Sequence, residues 1–532
     1  MKRDATHVAT RRPKGRVNVI SRVYDNAVTL RKMSGEFGTL EINSPALMQI
    51  IPEPEKSDLK IRLLSCALSL LIAMPSFAQL STSDRQLSRD ILQELIEINT
   101  TDSVGNVTTA SEAMAKRLRA AGFSDSDIFT GGPNDRKKNL VVRLRGTGAK
   151  RPVLLMGHLD VVEARREDWT TDPFQLVEKD GYFYGRGMED MKASDAILVM
   201  NLIRLNREGY KPERDIILIL TADEEGGQSN GVDWLTKNHR DLVDAEFALN
   251  ADGGGVTTVK GKPFVVNLSA SEKLYADYEL EVTNPGGHSS MPKPENAIYR
   301  LADTLVRLQN YKFPFELNDV TRAFFQQTAK VNKGQEAADM VAVTKTPPDE
   351  AAIARLSRDP FYNSSMHTTC VATRLQAGHA NNALPQRATA NVNCRILPGH
   401  SRAEVLGVLQ QVVNDPKVSI ALVINGAKIT AMGEREKMAL PPVPLKPEVM
   451  DPLSKVVAEM WPRSPIVPTM GTGATDGVYT NPAGIPTYGV SGLAIDIDDD
   501  RSHGRDERLP VASFYAGVDF YYRYLKAVGG GK

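Results

Sequence analysis

The sequence predicts a mixed, largely parallel α/β sheet with helices on both faces, plus an inserted α+β lid or dimerisation domain. Three observations lead there. Short apolar runs at Leu140–Leu144, Val153–Met156, Ile216–Leu220 and Phe247–Leu249 alternate with helical patterns. Continuous apolarity of this kind marks strands buried on both faces. Polar clusters follow several of these runs, at the strand ends where open α/β sheets bind ligands. From about Ser271 the pattern becomes an alternation, with Tyr278, Leu280 and Val282 set between charged residues, so these strands have one wet face.

With 532 residues the chain is long enough for two or more domains of roughly 100–200 residues each. Lys+Arg and Asp+Glu balance at 65 each, which argues against a general polyanion binder, so no nucleic-acid partner is expected. Three cysteines without a CxxC pair argue against a disulfide scaffold or a thiolate metal site.

Residues 1–55 show no sustained period and are expected to form an unstructured leader, unless translation starts later, at Met48. Lys56, Lys60 and Arg62 then precede the apolar run Leu63–Met74 and the small-residue stretch Pro75-Ser-Phe-Ala78. That order is the order of a secretory signal over 56–78, cut after Ala78. The apolar run is shorter than the roughly 20 residues needed to span a bilayer, so no stable membrane anchor is expected after cleavage. The expected location is periplasmic or secreted, where Cys370 and Cys394 could pair.

In the mature chain, Leu87, Ile91, Leu92, Leu95 and Ile98 fall at helical spacing, and Thr109-Ala-Ser-Glu112 reads as a capping box for a second helix running to Leu118. The helix after Asp190 turns Ala196, Met200 and Ile203 inward and stops near Gly209. Beyond Ser271, Ile298, Leu301, Leu305 and Leu308 mark an amphipathic helix. Strands follow near Thr368–Leu375 and Ala388–Ile396, then a helix capped by Ser401-Arg-Ala-Glu404. Residues 311–365 look like an insertion in this unit. The Pro-rich run Pro441–Pro447 returns the chain to the first domain, giving a main domain of 79–270 and 433–532 around a lid of 271–432.

Five polar clusters carry the chemistry. Gly157-His158-Leu159-Asp160 follows the Val153–Met156 strand, and His and Asp two apart on extended chain point the same way. One can ligate a metal while the other orients it. Asp190, in Gly185-Arg-Gly-Met-Glu-Asp190, reads equally as a helix N-cap. Glu224 and Glu225 after Thr221 could form a solvated rim, and Asp252 in Asn250-Ala-Asp-Gly could sit in a simple turn. His503 lies behind the acidic run Asp496–Asp500, whose default reading is a solvated loop. As a set they offer oxygen and imidazole donors without thiolate, which suits zinc, with manganese or cobalt as substitutes. Five ligands exceed the needs of one open tetrahedral ion. Two ions sharing a carboxylate would use them all and leave room for a bridging water.

The spans MGHLDVVEA, GRGMEDMK, TADEEGG, NADGG, NPGGHSSMP, NALP and SHGRDERL, in this order, resemble the aminoacylase/carboxypeptidase/succinyl-diaminopimelate desuccinylase family of co-catalytic di-zinc metallopeptidases (clan MH). The likeness covers roughly Asp84 to the C-terminus. It implies two Zn2+ ions, with Asp190 bridging, His158 and Asp252 on one ion, and Glu225 and His503 on the other. Glu224 becomes the general base, a choice over Glu225 that spacing alone leaves open, and Asp160 supports His158. The resemblance further implies that His288 closes over the site and stabilises the oxyanion, in dimeric members from the neighbouring subunit, and that Asn382 and Arg395 contact substrate near its carboxylate. Arg395 could equally pair with an acidic neighbour on its strand. Gly471-Thr-Gly-Ala-Thr-Asp476-Gly477 resembles the family's glycine-rich loop beside the site; it lacks the Lys-Ser/Thr ending of a phosphate-binding loop. No GxSxG elbow supports a serine hydrolase.

The expected activity is hydrolysis of the amide bond of small peptides with a free carboxylate. Deacylation of N-acyl amino acids is the alternative, and a non-catalytic peptide-binding protein on the same fold a remote one. The segment around Trp169 and Phe174, with the lid insertion, looks closer to the carboxypeptidase and aminoacylase branch. A homodimer through the lid is the expected assembly.

Overall fold

A computed structural model describes residues 80–531 apart from 425 and 430. The expected leader, secretory signal and cleavage point lie outside the described residues.

The apolar runs form strands, and those strands build one mixed sheet. Val153–His158 lies at its centre, parallel to Ile216–Thr221 on one side and to Phe247–Asn250 on the other. All three are buried along their whole length, the condition that selects continuous apolarity. Asn139–Leu144 adds antiparallel outside Ile216–Thr221. On the other flank Thr487–Gly489 runs parallel to Phe247–Asn250, and the antiparallel pair Gly255–Val259 and Lys262–Glu272 extends the sheet. Because the three central strands are parallel, His158, Thr221 and Asn250 end on the same edge, and the polar clusters after them meet there.

Helices cover the sheet. Lys192–Arg207 is buried over nearly all its length, including Ala196, Met200 and Ile203, and packs against Thr82–Glu97 and Val511–Gly529. The second helix corrects its expected start: it spans Val107–Ala120, and Asn106 caps it by accepting from the Thr109 amide. Asn106 offers the same short side-chain acceptor three residues earlier.

A second, all-antiparallel sheet orders Thr369–Ala377, Arg387–Ile396, Leu274–Thr283, Val418–Ile424 and Ala427–Ile429. Alternate residues of the central strands are buried, Tyr278, Leu280 and Val282 among them. The helices Ala297–Asn310 and Arg402–Val413 share their core. Ser401 and Glu404 make the reciprocal capping box. Ile298 departs from its expected inward place and is 40% exposed; Leu301 alone of that helix's four periodic residues is fully buried.

Residues 319–366 fold into four helices whose core (Phe324, Phe325, Met340, Tyr362) includes Val265 and Val467 of the large sheet. The insertion in the lid sequence therefore packs against the large sheet, because its apolar faces find Lys262–Glu272 and Ile466–Gly471 there. Cys370 and Cys394 stand opposite each other across the lid strands and are joined as a disulfide. Among the described residues no helix is long and apolar enough to cross a membrane.

Candidate metal centre

His158 is the last residue of its strand and is 2% exposed. Its Nδ1 bonds the main-chain carbonyl of Asp160 at 3.0 Å, while the Asp160 carboxylate stands off at 3.7 Å. That carboxylate is engaged elsewhere, its two oxygens accepting the backbone amides of Glu224 (3.3 Å) and Glu225 (3.0 Å). Asp160 thus supports His158 through its backbone and fixes the Glu224–Glu225 turn through its side chain, a division the His-x-Asp spacing does not reveal.

With Nδ1 engaged, Nε2 of His158 faces Asp190 Oδ1 at 3.1 Å and Asp252 Oδ1 at 3.8 Å. The other oxygen of Asp190 lies 2.9 Å from His503 Nε2, which is 3.1 Å from Glu225 Oε1. Asp190 therefore shows one oxygen to His158 and the other to His503, the arrangement of a shared carboxylate. It is not the N-cap of the following helix; Met191 occupies that position and no side chain caps it. Donor atoms of His158, Glu224 and Asp252 lie within 4.8 Å of one another, as do those of His158, Asp190 and Glu225.

His503 is 313 residues from Asp190 in sequence, and a small sheet brings it back. Arg508–Pro510 pairs antiparallel with Tyr182–Tyr184, laying the loop before it against the loop after Tyr184. Glu507, fully buried, accepts the backbone amides of Gly187 (3.1 Å), Glu189 (2.6 Å) and Asp190 (3.1 Å). It also pairs with Arg186 at 2.6 Å, and Arg186 donates to the carbonyls of His503 and Gly504. One carboxylate thereby ties the Asp190 loop to the His503 loop. Sequence reasoning missed Glu507 because it sits in a charged run; its alternation with Leu509, both fully buried, was the available signal.

Positive charge is scarce here, and the protonation equilibria show it. Burial, with the Asp252 charge next, pushes the Glu224 carboxyl up to about 10. Burial carries Asp252 to about 6 and Asp476, in the same nest, to about 7. Burial tends to lower the His158 imidazole, but the neighbouring carboxylates of Asp190 and Asp252 take it well above its ordinary value. Burial opposes the charge of Asp190 as well, yet the imidazoles of His158 and His503 hold its carboxyl below the usual range. His503 is raised to about 10, chiefly by Asp190 and Glu225.

The donor set fits divalent cations. His158 Nε2 and Asp190 Oδ1 are buried with no hydrogen-bond partner, a costly state for two adjacent polar atoms unless a third body lies between them. Tetrahedral ligands at about 2.1 Å from an ion stand about 3.4 Å apart, and the separations of 2.9 to 3.8 Å bracket that value. Cationic charge would also return Glu224 to a carboxylate able to take a proton at neutral pH.

The three residues expected to bind substrate are placed differently. Arg395 stacks over Tyr275, with its guanidinium carbon 4.7 Å from the ring centroid. It donates to the carbonyl of Thr472 at 3.2 Å, a glycine-rich-loop residue lining the cleft beside the metal centre. His288 and Asn382 sit together on the lid, where the amide of Ser289 bonds the Asn382 carbonyl at 3.0 Å. Both are exposed and neither lines that cleft. Nδ1 of His288 accepts the Ser290 amide at 3.2 Å and lies 2.7 Å from the Ser290 hydroxyl.

A family profile described as Peptidase family M20/M25/M40 matches residues 154–527. A probable carboxypeptidase S-like 2 of Dictyostelium discoideum is 29% identical over 388 residues, 71% of each chain. An N-fatty-acyl-amino acid synthase/hydrolase of Xenopus tropicalis is 29% identical over 385 residues, 70% of this chain and 72% of that one. In fold, the chain is similar to an M20 family metallo-carboxypeptidase from Sulfolobus solfataricus: TM-score 0.60, 16% identity, covering 83% of this chain and 99% of that one. The shared-carboxylate geometry and a match over most of the chain agree: the protein belongs to peptidase family M20/M25/M40.

Proposed function

We propose that this hydrolase cleaves the amide bond of small peptides bearing a free carboxylate, using two divalent cations, zinc in the first instance. The observation that carries this reading is Asp190 turned to His158 through one oxygen and to His503 through the other, with Glu224 beside the nest. His158 and Asp252 would hold one cation, Glu225 and His503 the other, and Asp190 both. Bound there, the cations lower the pKa of water and polarise a carbonyl. Glu224, fixed through its amide by Asp160, takes the proton of the attacking water and passes it to the departing nitrogen. Arg395, held against the glycine-rich loop, receives the substrate carboxylate.

His288 would supply the donor for the developing oxyanion across a homodimer. An exposed lid strand supports that assembly: Thr369–Ala377 is an edge strand with Val371 61% and Leu375 64% exposed, and unpaired edges of this kind pair with another chain. The Val371→Arg/Leu375→Arg double variant is expected to run as a monomer by light scattering. It should lose about 10²-fold in kcat, the scale of one oxyanion donor, while its metal content holds. The signal-like segment 56–78 and the Cys370–Cys394 disulfide support export to the periplasm or the medium.

A second reading, deacylation of N-acyl amino acids, is favoured by the similarity to the N-fatty-acyl-amino acid hydrolase. Metal-reconstituted protein assayed on dipeptides and N-acetyl amino acids separates the two. Dipeptide turnover abolished by chelator is expected; turnover confined to the N-acetyl amino acids would replace the first reading with the second.

A further inference from the structure

We propose that the cleft leading from the metal centre selects substrates carrying a cationic side chain of lysine or arginine chemistry, an inference that rests on the hydrolase reading above. The cleft has a volume of about 440 Å³ and begins beside Asp190, Asp252 and His503. It follows the strands Gly255–Val259 and Ala494–Asp496. Leu493, Ile495 and Ile497 give it an apolar wall, and Glu189, Asp496 and Asp500 place carboxylates along it. Among the described residues no lysine or arginine lines it. An apolar wall beside carboxylates complements an aliphatic stem with a charged head.

Asp496 and Asp500 form no ion pair with a lysine or arginine among the described residues. Asp500 accepts the Ser502 amide (3.1 Å) and hydroxyl (2.9 Å). Asp496 accepts the Gly261 amide (2.8 Å) and the Thr258 hydroxyl (3.2 Å). Glu189 accepts the Arg501 amide and the Ser502 hydroxyl. The nearby guanidiniums of Arg501 and Arg508 are both held by Asp499. A second, independent feature points to a cationic ligand. Glu272 borders the same cleft, its carboxyl almost wholly buried. Its Oε2 accepts the Thr475 amide at 2.8 Å, while its Oε1 is buried without a partner. Two dications at the metal centre would be matched by Asp190, Glu224, Glu225 and Asp252, so Asp496 and Asp500 remain unmatched for a substrate.

The test compares Ala-Lys and Lys-Ala with their norleucine counterparts, which keep the aliphatic stem and lose the charge. In at least one position lysine should exceed norleucine in kcat/KM by tenfold or more, about 1.4 kcal/mol. The Asp496→Asn/Asp500→Asn double variant should bring that ratio close to one. Calorimetric binding of the same four dipeptides to zinc-loaded Glu224→Gln protein reads selectivity without turnover and should show the same preference. Norleucine binding as well as lysine in both positions, or a ratio unmoved in the double variant, would overturn the proposal. Selective binding without metal-dependent turnover by the unaltered enzyme would instead count against the hydrolase reading and leave the selectivity standing.

Discussion

Replacing Glu224 with glutamine is expected to lower kcat about 10³-fold while the protein keeps its fold and its metal, since proton transfer by a positioned side chain contributes about 10²–10⁴-fold. The expectation follows from the division of roles in the Thr221–Gly227 turn. Glu225 lies 3.1 Å from His503, whereas Glu224 lies in the group formed with His158 and Asp252. Asp160 fixes both residues through their amides, contacts that survive a change of side chain. Glutamine keeps the size of the glutamate and loses its proton affinity, so proton transfer is what the substitution removes. KM should change little, because no substrate contact is deleted. Single-turnover kinetics with metal analysis checks this; a variant retaining a tenth of the activity would remove Glu224 from its role.

The second large effect is at a distance from the reacting atoms. Glu507→Ala is expected to lose more than half its bound metal at equimolar zinc and to melt at a clearly lower temperature. The truncation leaves Nη1 of Arg186 and the amides of Gly187, Glu189 and Asp190 without their Glu507 acceptor. Breaking a buried pair costs about 3–5 kcal/mol, and the loop that relaxes is the one carrying Asp190. Excess zinc should restore occupancy more readily than it restores melting temperature. Glu507→Gln, which keeps one acceptor oxygen, should fall between. Full metal content in the alanine variant would show that Glu507 stabilises the loop without positioning Asp190.

The strands and the ligand clusters were legible because both are local. Runs such as Ile216–Leu220 are apolar on both faces because both faces are covered, and parallel pairing then forces their polar ends to one edge. His158, Glu224, Glu225 and Asp252 each follow such a run within a few residues, so adjacency in space could be read from adjacency to a strand end. His503 has no such apolar run before it; it entered the donor set by residue type, and its pairing with Glu225 came from the family likeness. Glu507 was illegible because a charged residue in Arg-Asp-Glu-Arg looks solvated, and its burial depends on a strand pairing with Tyr182–Tyr184 far upstream. The four helices of 319–366 read as part of the lid because they interrupt its sequence; only tertiary packing sends Phe324 and Tyr362 to Val265 and Val467. The acidic run Asp496–Asp500 was likewise more than a solvated loop. Asp496 ends a strand of the large sheet and Asp499 grips Arg508 in a fork at 2.8 to 3.0 Å.

In the proposed centre one carboxylate, that of Asp190, holds two cations. Anomalous diffraction from zinc-soaked crystals, measured above and below the zinc edge, tests it most directly. Two peaks are expected, roughly 3.5–4 Å apart, with Asp190 between them, His158 and Asp252 on one, and Glu225 and His503 on the other. A single peak, or a pair in which Asp190 touches only one ion, would contradict it.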